Sequence, residues 1–71
     1  MSDVEVARKR VRQLLLSGDN TLKHREDPES RGRARARFEQ ALALADEADL
    51  DDGIHDLIRR RLVLLEAVDA A

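Results

Sequence analysis

The chain has 71 residues, of which 39% are charged, and it carries a net charge of −2 with no cysteine, tryptophan or tyrosine. A chain this short forms one domain with a small core, and the missing cysteines exclude disulfides and thiolate metal sites. The acidic balance argues against a dedicated nucleic-acid binder, and no apolar run approaches the roughly 20 residues that cross a bilayer, so we expect a cytoplasmic protein without a membrane partner.

The first predicted helix covers about residues 3–24. Ser2 and Glu5 match a capping box, in which each side chain binds a backbone amide of the first turn. The helix is expected to end near Lys23 or Arg25, and the alternative is an earlier end at the weak segment Gly18-Asp19-Asn20. Small and apolar residues recur at spacings of three and four, which predicts one core-facing side made of Val4, Ala7, Val11, Leu14, Leu15, Gly18 and Leu22.

The second predicted helix covers about residues 28–48. Asp27 is a favoured N-cap, and Pro28 suits the first helical position because the amide there has no helical partner. The core-facing side consists mostly of small residues, which would let a neighbouring helix approach closely. Phe38 is the one large residue that anchors it. The predicted core positions are Ala34, Phe38, Ala41, Leu42, Ala45 and Ala48.

The third predicted helix covers about residues 52–68, after an acidic turn that ends the preceding periodicity at Leu50. Its predicted core-facing residues are Ile54, Leu57, Ile58, Leu65 and Val68, flanked by Leu62 and Leu64. Because the connections are short, successive helices must be antiparallel. The expected fold is therefore an all-α, three-helix up-down-up bundle.

Four of these positions carry a resemblance to a known family. Gly18 on the first helix, followed by Ala34, Phe38 and Ala41 on the second, is similar to the helical hairpin of tetratricopeptide repeats, which combines a glycine with A-x3-F-x2-A. Leu14 also falls at a large apolar position of that family. The resemblance covers about one and a half repeats, and it implies a module that binds a protein or peptide.

The sequence departs from that family at three places. Thr21 replaces the usual tyrosine, and Asp46 stands where a closing proline is expected. The loop from His24 to Ser30 is also longer than the family's loop.

Basic residues form three groups, of which the segment RGRARAR, residues 31–37, is the most conspicuous. On a helix, Arg31 and Arg35 would lie at one edge of the core-facing side, and Arg33 and Arg37 would lie at the other edge. Placing an arginine at every second position therefore distributes the charges around the helix instead of aligning them. The up-down-up order predicts that residues 8–12, 31–37 and 59–61 lie at different levels. We expect residues 8–12 to lie beside the acidic residues of the turn between the second and third helices. Electrostatic attraction between the two groups would fix the order of the helices.

Catalytic and metal-binding signals are weak. His24 and His55 lack helical ligand spacing, and a calcium loop starting at Asp49 would place Ile54 and Arg60 where glycine and glutamate are required. Capping and surface roles are the favoured interpretation of both histidines. We therefore expect no enzyme activity and no cofactor.

Arg61 is the one charge that falls within the predicted core side of the third helix, where an unpaired charge would be costly. If the first and third helices lie side by side, Arg61 is level with Gly18. The missing side chain of Gly18 would leave room for the guanidinium, and the carboxylate of Asp19 could accept its hydrogen bonds. The alternatives are an arginine that reaches solvent at the bundle edge and an arginine that recognises a partner.

The apolar residues left outside this core indicate contact with another protein or a second copy, because a core this small often gains stability by association. The possible partner surface comprises Leu16, Arg31, Arg35, Arg61, Leu62 and Val63. We expect a homo-oligomer that associates through the third helix. A nucleic-acid-associated accessory protein that uses the arginine groups is the alternative, and a small subunit that modulates an enzyme is a third possibility.

Overall fold

The computed structural model describes residues 3–24 and 26–70, with side chains described as far as residue 68. It contains three α-helices, α1 (Asp3–Thr21), α2 (Pro28–Glu47) and α3 (Asp52–Ala70), and a 3-10 turn at Leu22–His24 after α1. The predicted all-α helical bundle is confirmed. Ser2 of the predicted capping box and Arg25 at the predicted end of the first helix lie outside the described residues.

Antiparallel packing of α1 against α2 forms the centre of the molecule. The ring of Phe38 lies against the backbone of Gly18, so closely that a Cβ atom added at Gly18 would be 2.8 Å from Cζ of the ring. Phe38, Ala34 and Ala41 are completely buried. The small residues of α2 therefore let the two helices approach, as the sequence predicts.

The hydrophobic core is made mostly by α1 and α2. Of the α3 side chains that the structure describes, Ile58 and Leu65 are buried in it, and Leu50 joins them from the turn before α3. The buried hydrophobic residues are Ala7, Val11, Leu14, Leu15, Ala34, Phe38, Ala41, Ala45, Leu50, Ile58 and Leu65. Four of these eleven are alanine, so the core is small in volume as well as in number.

Three residues predicted to face the core are exposed. Val4 lies in the first turn of α1, and Leu57 and Val68 lie on α3. The prediction for Leu57 and Val68 was wrong because α3 packs chiefly against α2, so its neighbours cover a narrower side of the helix than its apolar residues occupy. One side of α3 is therefore left open.

The turn between α2 and α3 closes α2 with a Schellman motif. The amide of Leu50 donates to the carbonyl of Ala45 at 2.9 Å, and the amide of Asp49 donates to Asp46 at 3.2 Å. Asp49 adopts a left-handed φ of 54°, a position usually taken by glycine. At the other end, the predicted N-cap is confirmed, because Oδ1 of Asp27 accepts the amide of Glu29 at 3.0 Å.

Candidate interaction surfaces

An aliphatic stripe on α3, formed by Leu57, Leu64 and Val68, is the most prominent exposed apolar feature among the described residues. These side chains are 47%, 67% and 42% exposed. At about 100° per residue, spacings of seven and eleven place them within about 40° of one another on the helix. The aliphatic stripe therefore runs along one side of α3 for about three turns.

The surroundings of the aliphatic stripe differ between its two ends. Near the end of α3, Leu64 and Val68 border a cavity of about 210 Å³ that Leu22 and Leu65 complete. Near the middle of the stripe, the exposed side chain of Arg60 lies about 40° from Leu64 around the helix axis. A helix laid on the stripe would contact apolar surface over most of its length and meet a positive charge at the centre.

Arg61 joins α3 to α1 beside this stripe. Its Nε lies 3.1 Å from Oδ1 of Asp19, and its Nη2 lies 3.1 Å from Oδ2, so the guanidinium engages the carboxylate with two parallel bonds. Its Nη1 donates to the carbonyl of Leu57 at 3.1 Å. The predicted partner of Arg61 is confirmed. The predicted space is wrong, because the ring of Phe38 fills the gap at Gly18.

The remaining residues of the predicted partner surface are distributed over all three helices. Leu16 is exposed on α1, and Val63 is 62% exposed on α3 but about 100° away from Leu64 around that helix. Leu62 is half-buried and packs against the core. Arg35 and Arg31 are half-buried on α2, where Nη1 of Arg35 lies 3.9 Å from Oε1 of Glu66.

Two of the three basic groups meet in one cleft. A cavity of about 500 Å³ between α1 and α2 is lined by Arg10, Gln13, Leu14, Ser17, Arg33, Ala36, Arg37 and Gln40. Arg10 and Arg37 line it together, although the sequence analysis places their groups at different levels of the bundle. We call this region the arginine cleft.

The acidic turn between α2 and α3 meets the other side of α1. Nη2 of Arg8 lies 3.9 Å from Oδ1 of Asp51, which agrees with the predicted proximity of the two charged groups. His55 lies in the same turn, with Nδ1 3.1 Å from the carbonyl oxygen of Asp51 and Nε2 2.7 Å from Oδ1 of Asp46. The pKa of His55 is raised, first by the Asp51 carbonyl and then by Asp46.

Neither a metal centre nor a membrane span is found in the part of the chain that the structure describes. No group of three or more His, Cys, Asp or Glu side chains there is arranged to hold a metal ion. None of its helices combines the length and apolar character that crossing a membrane requires.

Comparisons with known proteins return no relative. No protein-family model matches the chain. Neither the curated proteins nor the solved structures contain a match to it.

Sequence reasoning placed Leu64 beside the core-facing side of α3 but assigned Leu57 and Val68 to the core, where they do not lie. Leu57 and Val68 share helical periodicity with the buried Ile58 and Leu65, so their pattern alone does not separate core from surface. The buried residues Ile58 and Leu65 are also seven residues apart, so no spacing in the sequence distinguishes the two sets.

Proposed function

We propose that the chain is a small non-enzymatic interaction module that associates with a second copy of itself through α3. The observation that carries the proposal is the aliphatic stripe of Leu57, Leu64 and Val68, exposed on a helix whose other side already contributes to the core. Contiguous apolar stripes of this kind are what helices use to dock against each other.

The limited burial of α3 within its own chain favours a second copy of the chain as the partner that covers the aliphatic stripe. α3 has 19 residues, and Ile58 and Leu65 are the only buried apolar side chains among its described residues. A symmetric pair would cover the stripe of each copy with that of the other, because the same patch serves both partners in a two-fold interface. The stripe is suited to this over most of its length, since its own three side chains are all aliphatic.

The similarity to tetratricopeptide hairpins remains part of this proposal. Its support is the burial of Ala34, Phe38 and Ala41 and the contact between Phe38 and Gly18. The resemblance implies an interaction module, which agrees in kind with docking through α3. A cytoplasmic location also belongs to the proposal, and it rests on composition alone, with 39% charged residues and no cysteine.

Light scattering after size exclusion tests the association. We expect the molar mass to rise from 8.0 kDa toward twice that value as the concentration increases from about 10 µM to about 1 mM. Leu64→Lys should hold the protein at the monomer mass because it places a charge in the stripe. Val63→Lys is the matched control, since Val63 has similar exposure on another side of α3.

Two results would contradict the proposal. One is a wild-type chain that stays at the monomer mass over the whole concentration range. The other is a loss of association in Val63→Lys while Leu64→Lys still dimerises, which would place the contact on the side of α3 that carries Val63. Circular dichroism of both variants establishes that each retains its helices.

A further inference from the structure

The arginine cleft concentrates positive charge in an otherwise acidic chain. Arg10 reaches it from α1, and Arg33 and Arg37 reach it from successive turns of α2. No carboxylate is among the described residues that line it. Three arginine side chains therefore line one space of about 500 Å³ in a chain whose net charge is −2.

The interactions that these arginines make elsewhere are weak. Nη2 of Arg33 lies 3.6 Å from Oε2 of Glu29, a pair in which both side chains are largely exposed. Arg37 donates to the carbonyl of Arg33 at 3.4 Å, and Arg10 also borders a second cavity with Asp3 and Glu47. Exposed contacts of this kind contribute little stability, so the guanidinium groups remain available to an anion that enters the cleft.

We propose that the arginine cleft binds the phosphate group of a small ligand. Guanidinium groups form paired hydrogen bonds with phosphate oxygens, and the amides of Gln13 and Gln40 and the hydroxyl of Ser17 can donate to the remaining ones. The volume lies within the range of small-molecule sites. This proposal uses α1 and α2 and is independent of association through α3.

The distribution of the other arginines favours a small ligand over a nucleic-acid backbone. Arg35 lies on the α3 side of α2, where it approaches Glu66, and Arg59 and Arg60 lie on α3. These groups do not extend the arginine cleft into a continuous basic path, which a run of phosphates would need.

Isothermal titration calorimetry tests the site with inorganic phosphate, pyrophosphate and a nucleoside triphosphate, each at one ionic strength set with sodium chloride. We expect saturable binding with one ligand per chain. Arg10→Gln and Arg37→Gln should each weaken it about tenfold or more, because each removes a charged donor. Arg59→Gln, the same charge change on α3, should alter the affinity by less than about twofold.

The comparison of ligands identifies the source of the phosphate. Equal affinity for phosphate and the larger anions indicates a site for a single phosphate group, and tighter binding of the nucleotide indicates contacts beyond it. Absence of saturable binding would overturn the proposal, as would an equal loss in Arg59→Gln. A DNA duplex that binds more tightly than all three, with contributions from Arg59, would overturn it in favour of nucleic acid.

Discussion

Arg61 shows how a charge can occupy a position that periodicity assigns to the core. Its side chain leaves the core side of α3 and meets Asp19 across the gap between α3 and α1, where both oxygens of the carboxylate are used. Nε and Nη2 face the carboxylate in parallel, which is the strongest geometry for such a pair. The pair therefore fixes the level of α3 relative to α1.

A double-mutant cycle measures that contribution. Arg61→Gln and Asp19→Asn should each destabilise the protein, and their coupling energy should be about 1 kcal/mol, because the pair has good geometry but remains partly exposed. Urea unfolding followed by circular dichroism gives the four free energies. A coupling energy near zero would mean that the two side chains act independently and that the pair does not position α3.

His55 presents both ring nitrogens to oxygen atoms that only accept hydrogen bonds. Nδ1 faces the carbonyl of Asp51, and Nε2 faces the carboxylate of Asp46. A neutral imidazole carries one N–H and satisfies one of them, whereas the protonated ring satisfies both. This geometry explains the direction in which the pKa of His55 is shifted, and it ties the end of α2 to the start of α3.

The pH dependence of stability follows from that shift. Because the pKa of His55 is raised in the folded protein above its usual 6.5, its contribution is fully present below pH 6.5 and is lost as pH rises through the folded value. The difference in unfolding free energy between wild type and His55→Gln should therefore be larger at about pH 5.5 than at about pH 8.5. An unchanged difference at the two pH values would contradict this account.

The close approach of α1 and α2 requires glycine at position 18, whereas it does not require glycine at position 32. At Gly18 an added Cβ would collide with the buried ring of Phe38, whereas at Gly32 nothing lies within 4 Å of the added atom. Both glycines lie inside helices, where alanine is intrinsically favoured by about 1 kcal/mol. The same substitution should therefore have opposite effects at the two sites.

Gly18→Ala should destabilise the protein by about 1–3 kcal/mol, because overpacking outweighs the gain in helix propensity. Gly32→Ala should stabilise it by about 0.5–1 kcal/mol. Thermal and urea unfolding of the two variants provide the measurement, each serving as the control for the other. If Gly18→Ala were as stable as Gly32→Ala, the contact between Phe38 and α1 would be looser than described.

Helix ends were predictable where a side chain forms the cap and less so where the backbone does. Asp27 and Pro28 mark the start of α2, and the structure has it there. The end of α2 depends on Asp49 in a left-handed conformation, which its residue type only weakly signals. Leu50 is buried by that backbone turn, so its place in the core could not be read from helical periodicity.

At the scale of the whole molecule, the sequence predicts the three helices, their order and most of the core. It does not predict how much of each helix its neighbours cover, because coverage depends on where helix axes lie rather than on periodicity. Leu57 and Val68 are exposed for this reason. The arginine cleft was missed for a related reason, since it requires knowing that Arg10 and Arg37 reach the same space.

Cross-linking through an introduced thiol tests association through α3 most directly, because the chain has no cysteine of its own. Arg60→Cys places a thiol beside the aliphatic stripe, and Ala43→Cys places one on the exposed side of α2. With a short bis-maleimide, Arg60→Cys should give about tenfold more covalent dimer, because association raises the local thiol concentration. Equal yields, or dimers from Ala43→Cys alone, would contradict association through α3.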